Sequence, residues 1–218
     1  MLTKMKLNNV LNQMEAMFPN ASCELNHSNA LQLLIAVVLS AQCTDVLVNK
    51  VTPELFSKYP NLEDFIDAPL EDIEEAIRRI GLFRNKSRFI KQLTQILMED
   101  FGGEIPNKME DLMKLPGVGR KTANVVLSVW FGVPAIAVDT HVERVSKRLE
   151  LCPKKATVLE VEQTLMRIVP KDNWSKTHHL LIFFGRYHCK AQNPKCVICP
   201  FSDFCKEGKK RLKMVNLV

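Results

Sequence analysis

The chain has 218 residues, 46% hydrophobic and 25% charged, a balance that suits a globular protein with a sizeable core and excludes a disordered or low-complexity chain. The longest apolar run, Leu33 to Leu39, is far too short to span a membrane. The amino terminus has neither a continuous signal-peptide core nor a transit-peptide composition, so an intracellular protein with no membrane partner is expected. The net charge of +6 is grouped at Arg78, Arg79, Arg84, Lys86, Arg88 and Lys91, then at Arg144, Lys147 and Arg148, then at Lys206 to Lys213; this points to a polyanion partner, although a solvated helix face would account for any one group.

Leu7, Val10, Leu11 and Met14 recur at helical spacing and predict an amino-terminal helix. Residues 30–39, ALQLLIAVVL, are apolar on all sides and predict a central helix buried by others. Leu70, Ile73, Ile77 and Ile80 predict a helix opened by Pro69 and followed by Gly81. Phe89, Ile90, Leu93, Ile96 and Leu97 predict another, closed by Gly102 and Gly103. No segment shows sustained period-two alternation, so the expected fold is all-α.

The next element is a hairpin. Lys108 to Lys114 is helical in pattern, Ala123 to Trp130 resumes a helix that should end at Gly132, and between them stands Leu115-Pro116-Gly117-Val118-Gly119-Arg120-Lys121-Thr122. Glycine permits the backbone angles of a tight turn and lets a ligand approach closely. A helix starting just after Gly119 aims unpaired N–H groups outward, for which phosphate is a natural acceptor, and Arg120 and Lys121 add charge. A plain turn between two helices is the bland alternative. A nucleotide-binding P-loop is excluded, because it needs glycine directly before the lysine and a strand before the turn.

Further on, the short apolar run Ala135 to Val138 ends in Asp139, the expected N-cap of a helix whose apolar face is Val142, Val145 and Leu149. A carboxylate fixed at a helix start can also face a developing positive charge, so the two roles are compatible. Val158, Val161, Leu165 and Ile168 predict one more helix, with Thr157 and Glu160 as a capping box.

The tail holds Cys189, Cys196, Cys199 and Cys205, four cysteines in seventeen residues, separated by six, two and five positions. Four thiolates suffice for one metal centre, either a tetrahedral structural zinc or an iron–sulfur cluster. Zinc ribbons present two tight pairs, whereas here the outer cysteines stand off singly, which favours the cluster. A disulfide framework fits less well with an odd total of seven cysteines. Cys23, Cys43 and Cys152 are expected to be core thiols, and His178, His179 and His188 packing or surface residues without a metal.

The hairpin LPGVGRKTA, the downstream VDTH and the spaced cysteines, together with LLIAVVLSAQCTD at 33–45 and IGLF at 80–83, resemble the endonuclease III family of DNA glycosylases from about Leu7 to Cys205. The resemblance implies a two-domain helix-hairpin-helix fold. A six-helix barrel would occupy residues 22–132, with the hairpin at about 108–131; residues 1–21 and 133–218 would form a helical domain whose cluster loop, 189–205, carries a 4Fe-4S cluster. Duplex DNA with a damaged pyrimidine or an abasic site would lie across the cleft between them, bound by a monomer. The implied activity is bifunctional: excision of an oxidised pyrimidine, then cleavage of the strand 3′ to the abasic site by β-elimination. Lys121 matches the family's nucleophile and would act as a neutral amine through a Schiff base. Asp139 matches its essential acid. Gln42 and Leu82 match positions that enter the DNA stack, filling the gap and wedging against the orphaned base. Their innocent readings are a helix cap for Gln42 and the hydrophobic contact of a glycine-terminated helix for Leu82. The hairpin residues Gly117, Gly119, Arg120 and Thr122, with His141 and the cluster-loop residues Lys190 and Lys195, would meet DNA.

Two rival readings of the sequence differ from this one at particular residues. An adenine-removing glycosylase would carry a catalytic glutamate in the central helix, yet residues 30–44 contain no acid, Lys121 is present, and little chain follows the cluster for an extra recognition domain. A non-enzymatic DNA-binding module with a structural zinc would not need Lys121 together with Asp139. The lack of an amino-terminal extension suits a bacterial or archaeal cytoplasm, close to the nucleoid. The basic ending from Lys206 onward has no assigned role.

Overall fold

The computed structural model describes residues 4–215, and among them every regular element is a helix. The first three residues of the expected amino-terminal helix and the last three of the basic ending lie outside the described residues. The α-helices are α1 (Lys4–Met17), α2 (Ala30–Leu39), α3 (Asp45–Lys58), α4 (Leu62–Asp67), α5 (Leu70–Ala76), α6 (Phe83–Phe101), α7 (Met109–Leu112), α8 (Arg120–Val129), α9 (Thr140–Arg148), α10 (Val158–Ile168), α11 (Trp174–Phe183) and α12 (Lys206–Val215). They form two compact units, one of Glu24–Val133 and one of Met1–Cys23 with Pro134–Val218.

In the unit of Glu24–Val133, α2 is the central element, and every residue from Leu33 to Leu39 is buried. Asn29 caps it, its side-chain oxygen accepting from the Gln32 N–H at 2.9 Å. Leu34 and Val38 pack against Leu93 and Leu97 of α6 and against Ala123, Val126 and Leu127 of α8. Each fully buried leucine stabilises the fold by about 1.5–3 kcal/mol. The long helix α6 ends where expected: Gly102 is left-handed at φ 60, and the Gly103 N–H donates to the Leu97 carbonyl at 2.9 Å. Two neighbours are shorter than their patterns predict. α5 stops at Ala76, and the burial of Ile77 and Ile80 is met by a turn in which the Ile80 N–H donates to the Ile77 carbonyl. Before the hairpin only the single turn α7 is helical.

Two lysines of the first basic group do not face solvent. Lys91 of α6 donates to the Ala68 carbonyl at 2.6 Å and to those of Phe65 and Ile66, closing the end of α4. Lys86, 3% exposed, donates to the carbonyls of Leu39 and Ala41 at the end of α2. Both are cations placed where helix carbonyls end unpaired, a favourable site for positive charge.

The other unit builds its core from both ends of the chain. Leu7, Val10 and Met14 of α1 pack with Val142 and Val145 of α9, Val161 and Leu165 of α10, Leu181 of α11, and Phe184 and Phe201. The capping box of α10 is present: Thr157 Oγ1 accepts from the Glu160 N–H at 3.3 Å, and the Glu160 carboxylate accepts from the Thr157 N–H at 2.6 Å. α11 runs on into a π-turn over Phe184–His188 that delivers the chain to Cys189. Of the three scattered cysteines only Cys152 is a core thiol; Cys23 and Cys43 are half-buried, because each sits at the rim of a connection between helices rather than on a helix face. No helix among the described residues is long and apolar enough to cross a membrane.

Candidate nucleic-acid interface and cluster loop

The hairpin uses its two glycines differently. Gly117 is left-handed at φ 79, and a Cβ there would stand 2.9 Å from Phe89 Cδ2, so both conformation and space require glycine. Gly119 is extended, at φ −93, a conformation open to any residue, and nothing lies within 4 Å of where its Cβ would be. Of the two uses of glycine in such a turn, Gly117 serves the backbone angle, whereas Gly119 leaves open space before the first turn of α8, and no side chain caps that helix. A helix start of this kind suits an anion. Leu115, Val118 and Ala123 anchor the hairpin in the core, which leaves Arg120 and Lys121 exposed and Thr122 half-buried in the first turn.

Gln42 and Leu82 are two of four non-glycine residues with positive φ among the described residues, at 54° and 61°. Such backbone costs on the order of 1–3 kcal/mol per residue and persists only where the surroundings impose it. Gln42 caps neither neighbouring helix. Gln42 lies exposed in the turn between α2 and α3, whose cap is Thr44. Leu82 is 57% exposed at the start of α6. The two turns are neighbours, the Gln42 carbonyl oxygen lying 4.0 Å from where a Cβ would stand on Gly81.

Asp139 is the N-cap of α9, as its sequence context predicts. Its Oδ1 accepts from the N–H groups of His141 and Val142, each at 2.8 Å, so one oxygen makes the cap and Oδ2 is left outside it. Beside it, His141 Nδ1 meets Arg144 Nη2 at 3.1 Å. Burial, then Arg144 and Arg186, push the imidazole below its usual pKa despite Asp139. Gly185 of the π-turn allows the close approach here; a Cβ on it would come within 2.8 Å of His141 Cβ.

The other end of α9 holds the cluster loop. Arg144 donates from Nε and Nη2 to the Cys189 carbonyl, and from Nη2 to Gly185 O at 2.8 Å. One turn on, Arg148 donates to the carbonyls of Lys190 and Ala191, and its Nη1 lies 3.4 Å from Cys189 Sγ. The second basic group is thus largely internal. Sequence spacing places both arginines on one face of α9, yet charge alone could not tell that this face turns toward backbone carbonyls.

Cys189, Cys196, Cys199 and Cys205 line one cavity, with His188 and Lys195 beside them. The four cysteines thus share the lining of one cavity, a donor set that suits an iron–sulfur cluster. Burial, with the mutual repulsion of the sulfurs, pushes the Cys199 thiol up to about 11 and raises Cys196. As free thiols they keep their protons, which binding of iron would displace. Lys190 is exposed on the loop, and the Lys195 N–H donates to the His188 carbonyl, drawing the loop back on itself.

Residues 35–171 match the family model of the HhH-GPD superfamily base excision DNA repair proteins, and residues 189–205 match the iron–sulfur binding domain of endonuclease III. The chain is 60% identical over 213 residues to an endonuclease III of Bacillus subtilis, covering 98% of this chain and 97% of the relative. It also resembles the solved structure of a non-covalent endonuclease III–DNA complex, at 62% identity and a TM-score of 0.95, covering 98% of this chain and 100% of that one. An endonuclease III trapped as a covalent intermediate with DNA, in an estranged-adenine complex, is 63% identical with a TM-score of 0.94, covering 97% and 100%. A 4Fe-4S cluster is the cofactor of this loop. The all-helical architecture is shared with the endonuclease III–DNA structures, and the chain belongs to the endonuclease III family of helix-hairpin-helix base excision repair proteins.

Proposed function

We propose that Lys121 is the nucleophile and Asp139 the essential carboxylate of this base excision repair enzyme, that its substrate is an oxidised pyrimidine in duplex DNA, and that Cys189, Cys196, Cys199 and Cys205 hold its cluster. The protein is a DNA glycosylase with AP lyase activity. The observation that carries the assignment is the placement of an exposed Lys121 in the first turn of α8, behind an uncapped Gly119. Helix N–H groups there would hold the DNA phosphate, and the amine would reach toward the sugar beside it. A damaged base stacks poorly, which lowers the cost of turning it out of the helix. As Lys121 Nζ bonds to C1′, the bond from C1′ to the base breaks. Opening of the sugar ring gives the protonated Schiff base, and loss of a 2′ proton then expels the 3′ phosphate. Asp139, with Oδ2 outside the cap, would stabilise positive charge on the sugar and take part in the proton transfers. Incubation with a duplex carrying one oxidised thymine, with and without borohydride, tests the reading directly. The bacterial relatives support action on the chromosome of a bacterial cell.

The DNA-contact residues would divide into phosphate holders, namely Gly117, Gly119, Arg120, Thr122, His141, Lys190 and Lys195, and the intercalating pair Gln42 and Leu82. Affinity for undamaged duplex should fall steeply with salt, since release of counterions dominates non-specific binding. Leu82→Ala should leave that slope intact and reduce the preference for damaged duplex, because an apolar wedge acts only where a nucleotide has left the stack. Fluorescence titrations at several salt concentrations separate the two effects; an unchanged preference would return Leu82 to an ordinary exposed residue.

The four thiols are expected to bind about four iron and four inorganic sulfide per chain. Cys199→Ser should bleach the visible absorbance and loosen the carboxy-terminal segment, since a metal site contributes its binding energy to the structure around it. Metal analysis and limited proteolysis check this, and a Cys199→Ser protein with full iron content and native protease resistance would contradict it.

A further inference from the structure

The Gln42 and Leu82 turns hold left-handed backbone on exposed residues, and one residue reaches both, by its side chain to the first and by its backbone N–H to the second. Lys86 lies in the first turn of α6, where its backbone N–H donates to the Leu82 carbonyl at 3.1 Å. Its ammonium donates to Leu39 O, the last carbonyl of α2, at 2.9 Å, and to Ala41 O, the carbonyl immediately before Gln42, at 2.6 Å. The residue is 3% exposed, so this cation is withdrawn from solvent and from any phosphate. A buried ammonium is tolerated only when its donors are used, and here they are used on the turn that presents Gln42. Burial pushes Lys86 below the usual lysine pKa, with the Cys43 thiol opposing the shift.

We propose that Lys86 is a positioning residue that locks the Gln42 and Leu82 turns together as one rigid, two-pronged wedge before DNA arrives. The proposal rests on the reading that both residues enter the DNA stack. Its physical content is preorganisation: a wedge already held in its bound shape does not lose conformational freedom when it enters the duplex, so affinity rises only for DNA from which a nucleotide has been extruded. Lys86 therefore serves discrimination without serving as a DNA charge.

The test uses the cluster-loaded protein and a duplex containing one uncleavable abasic-site analogue opposite 2-aminopurine, whose fluorescence rises when it is unstacked. Lys86→Met keeps the buried stem and removes the donors. It should reduce the ratio of affinities for damaged and undamaged duplex by about tenfold, the scale of one charge-assisted hydrogen bond expressed in binding. It should also weaken the fluorescence rise and leave the salt slope unchanged. Because Lys86 acts through the wedge, adding Lys86→Met to Leu82→Ala or to Gln42→Ala should change the ratio little further. Full multiplication of the single effects, or a shallower salt slope with an unchanged ratio, overturns the proposal. Unchanged ratio and fluorescence in both Leu82→Ala and Gln42→Ala would sink the wedge reading itself, and the proposal with it, a pattern distinct from failure at Lys86 alone. Lys86→Gln, which can still donate to one carbonyl, should fall between. The unsubstituted protein supplies a measurement independent of variant folding: the Cys43 amide, which donates to Ser40 O at 3.0 Å, should exchange with deuterium far more slowly than an open loop amide. Exchange at the free-peptide rate would show that the turn is not held, and would overturn the proposal.

Discussion

Replacing Lys121 with glutamine should abolish the borohydride-trapped adduct between protein and DNA while leaving substantial binding to damaged duplex. The side chain that forms the covalent bond is removed, but the features that hold the phosphate are backbone features. These are the left-handed Gly117, the space before Gly119 and the uncapped start of α8, and all remain. Lys121 is exposed, so its replacement also leaves the core beneath it, Val118, Ala123 and Val126, untouched. Gel analysis of trapped adduct beside a binding titration reads the two quantities separately. An adduct of normal yield would assign the chemistry to another amine.

Asp139→Asn should slow base excision by a factor of roughly 10²–10³, the scale of losing one preorganised transition-state contact, with binding and folding retained. The geometry makes this a clean substitution. Both cap bonds land on Oδ1, and the asparagine oxygen can accept the same two N–H groups, asparagine being as good an N-cap as aspartate. What changes is the other position, where an amide nitrogen replaces the anionic Oδ2. Single-turnover excision of an oxidised pyrimidine measures the effect. Full activity in Asp139→Asn would reduce the residue to a helix cap.

Much of this architecture was legible in the sequence. Apolar spacing marked α1, α2, α6, α9 and α10, and the capping box of α10 and the glycine end of α6 are where composition placed them. Periodicity overran at α5, because isoleucines three apart are buried equally well by a helix and by the turn that follows it. The charges were the least legible feature. Lys86, Lys91, Arg144 and Arg148 read as surface cations in a basic protein, yet each donates to backbone carbonyls at a helix end or loop. A long aliphatic stem lets one residue type serve either purpose, and the partner carbonyls come from segments tens of residues away. The left-handed backbone at Gln42 and Leu82 was equally hidden, since neither is a residue that local preference sends there.

The division of the chain has a consequence for its synthesis. The unit that carries the cluster loop begins with α1 and resumes only at Pro134, so Leu7, Val10 and Met14 lack the partners of their apolar face until α9, α10 and α11 have been made. The intervening unit of about 110 residues can fold meanwhile, as contiguous domains do during translation. At ~5–20 residues per second, α1 therefore waits on the order of ten seconds after leaving the ribosome. Cys205, which shares the core with these α1 residues, is made later still, after α11. The four thiols that take up iron therefore become available only after α1 and the helices that cover it have all been made.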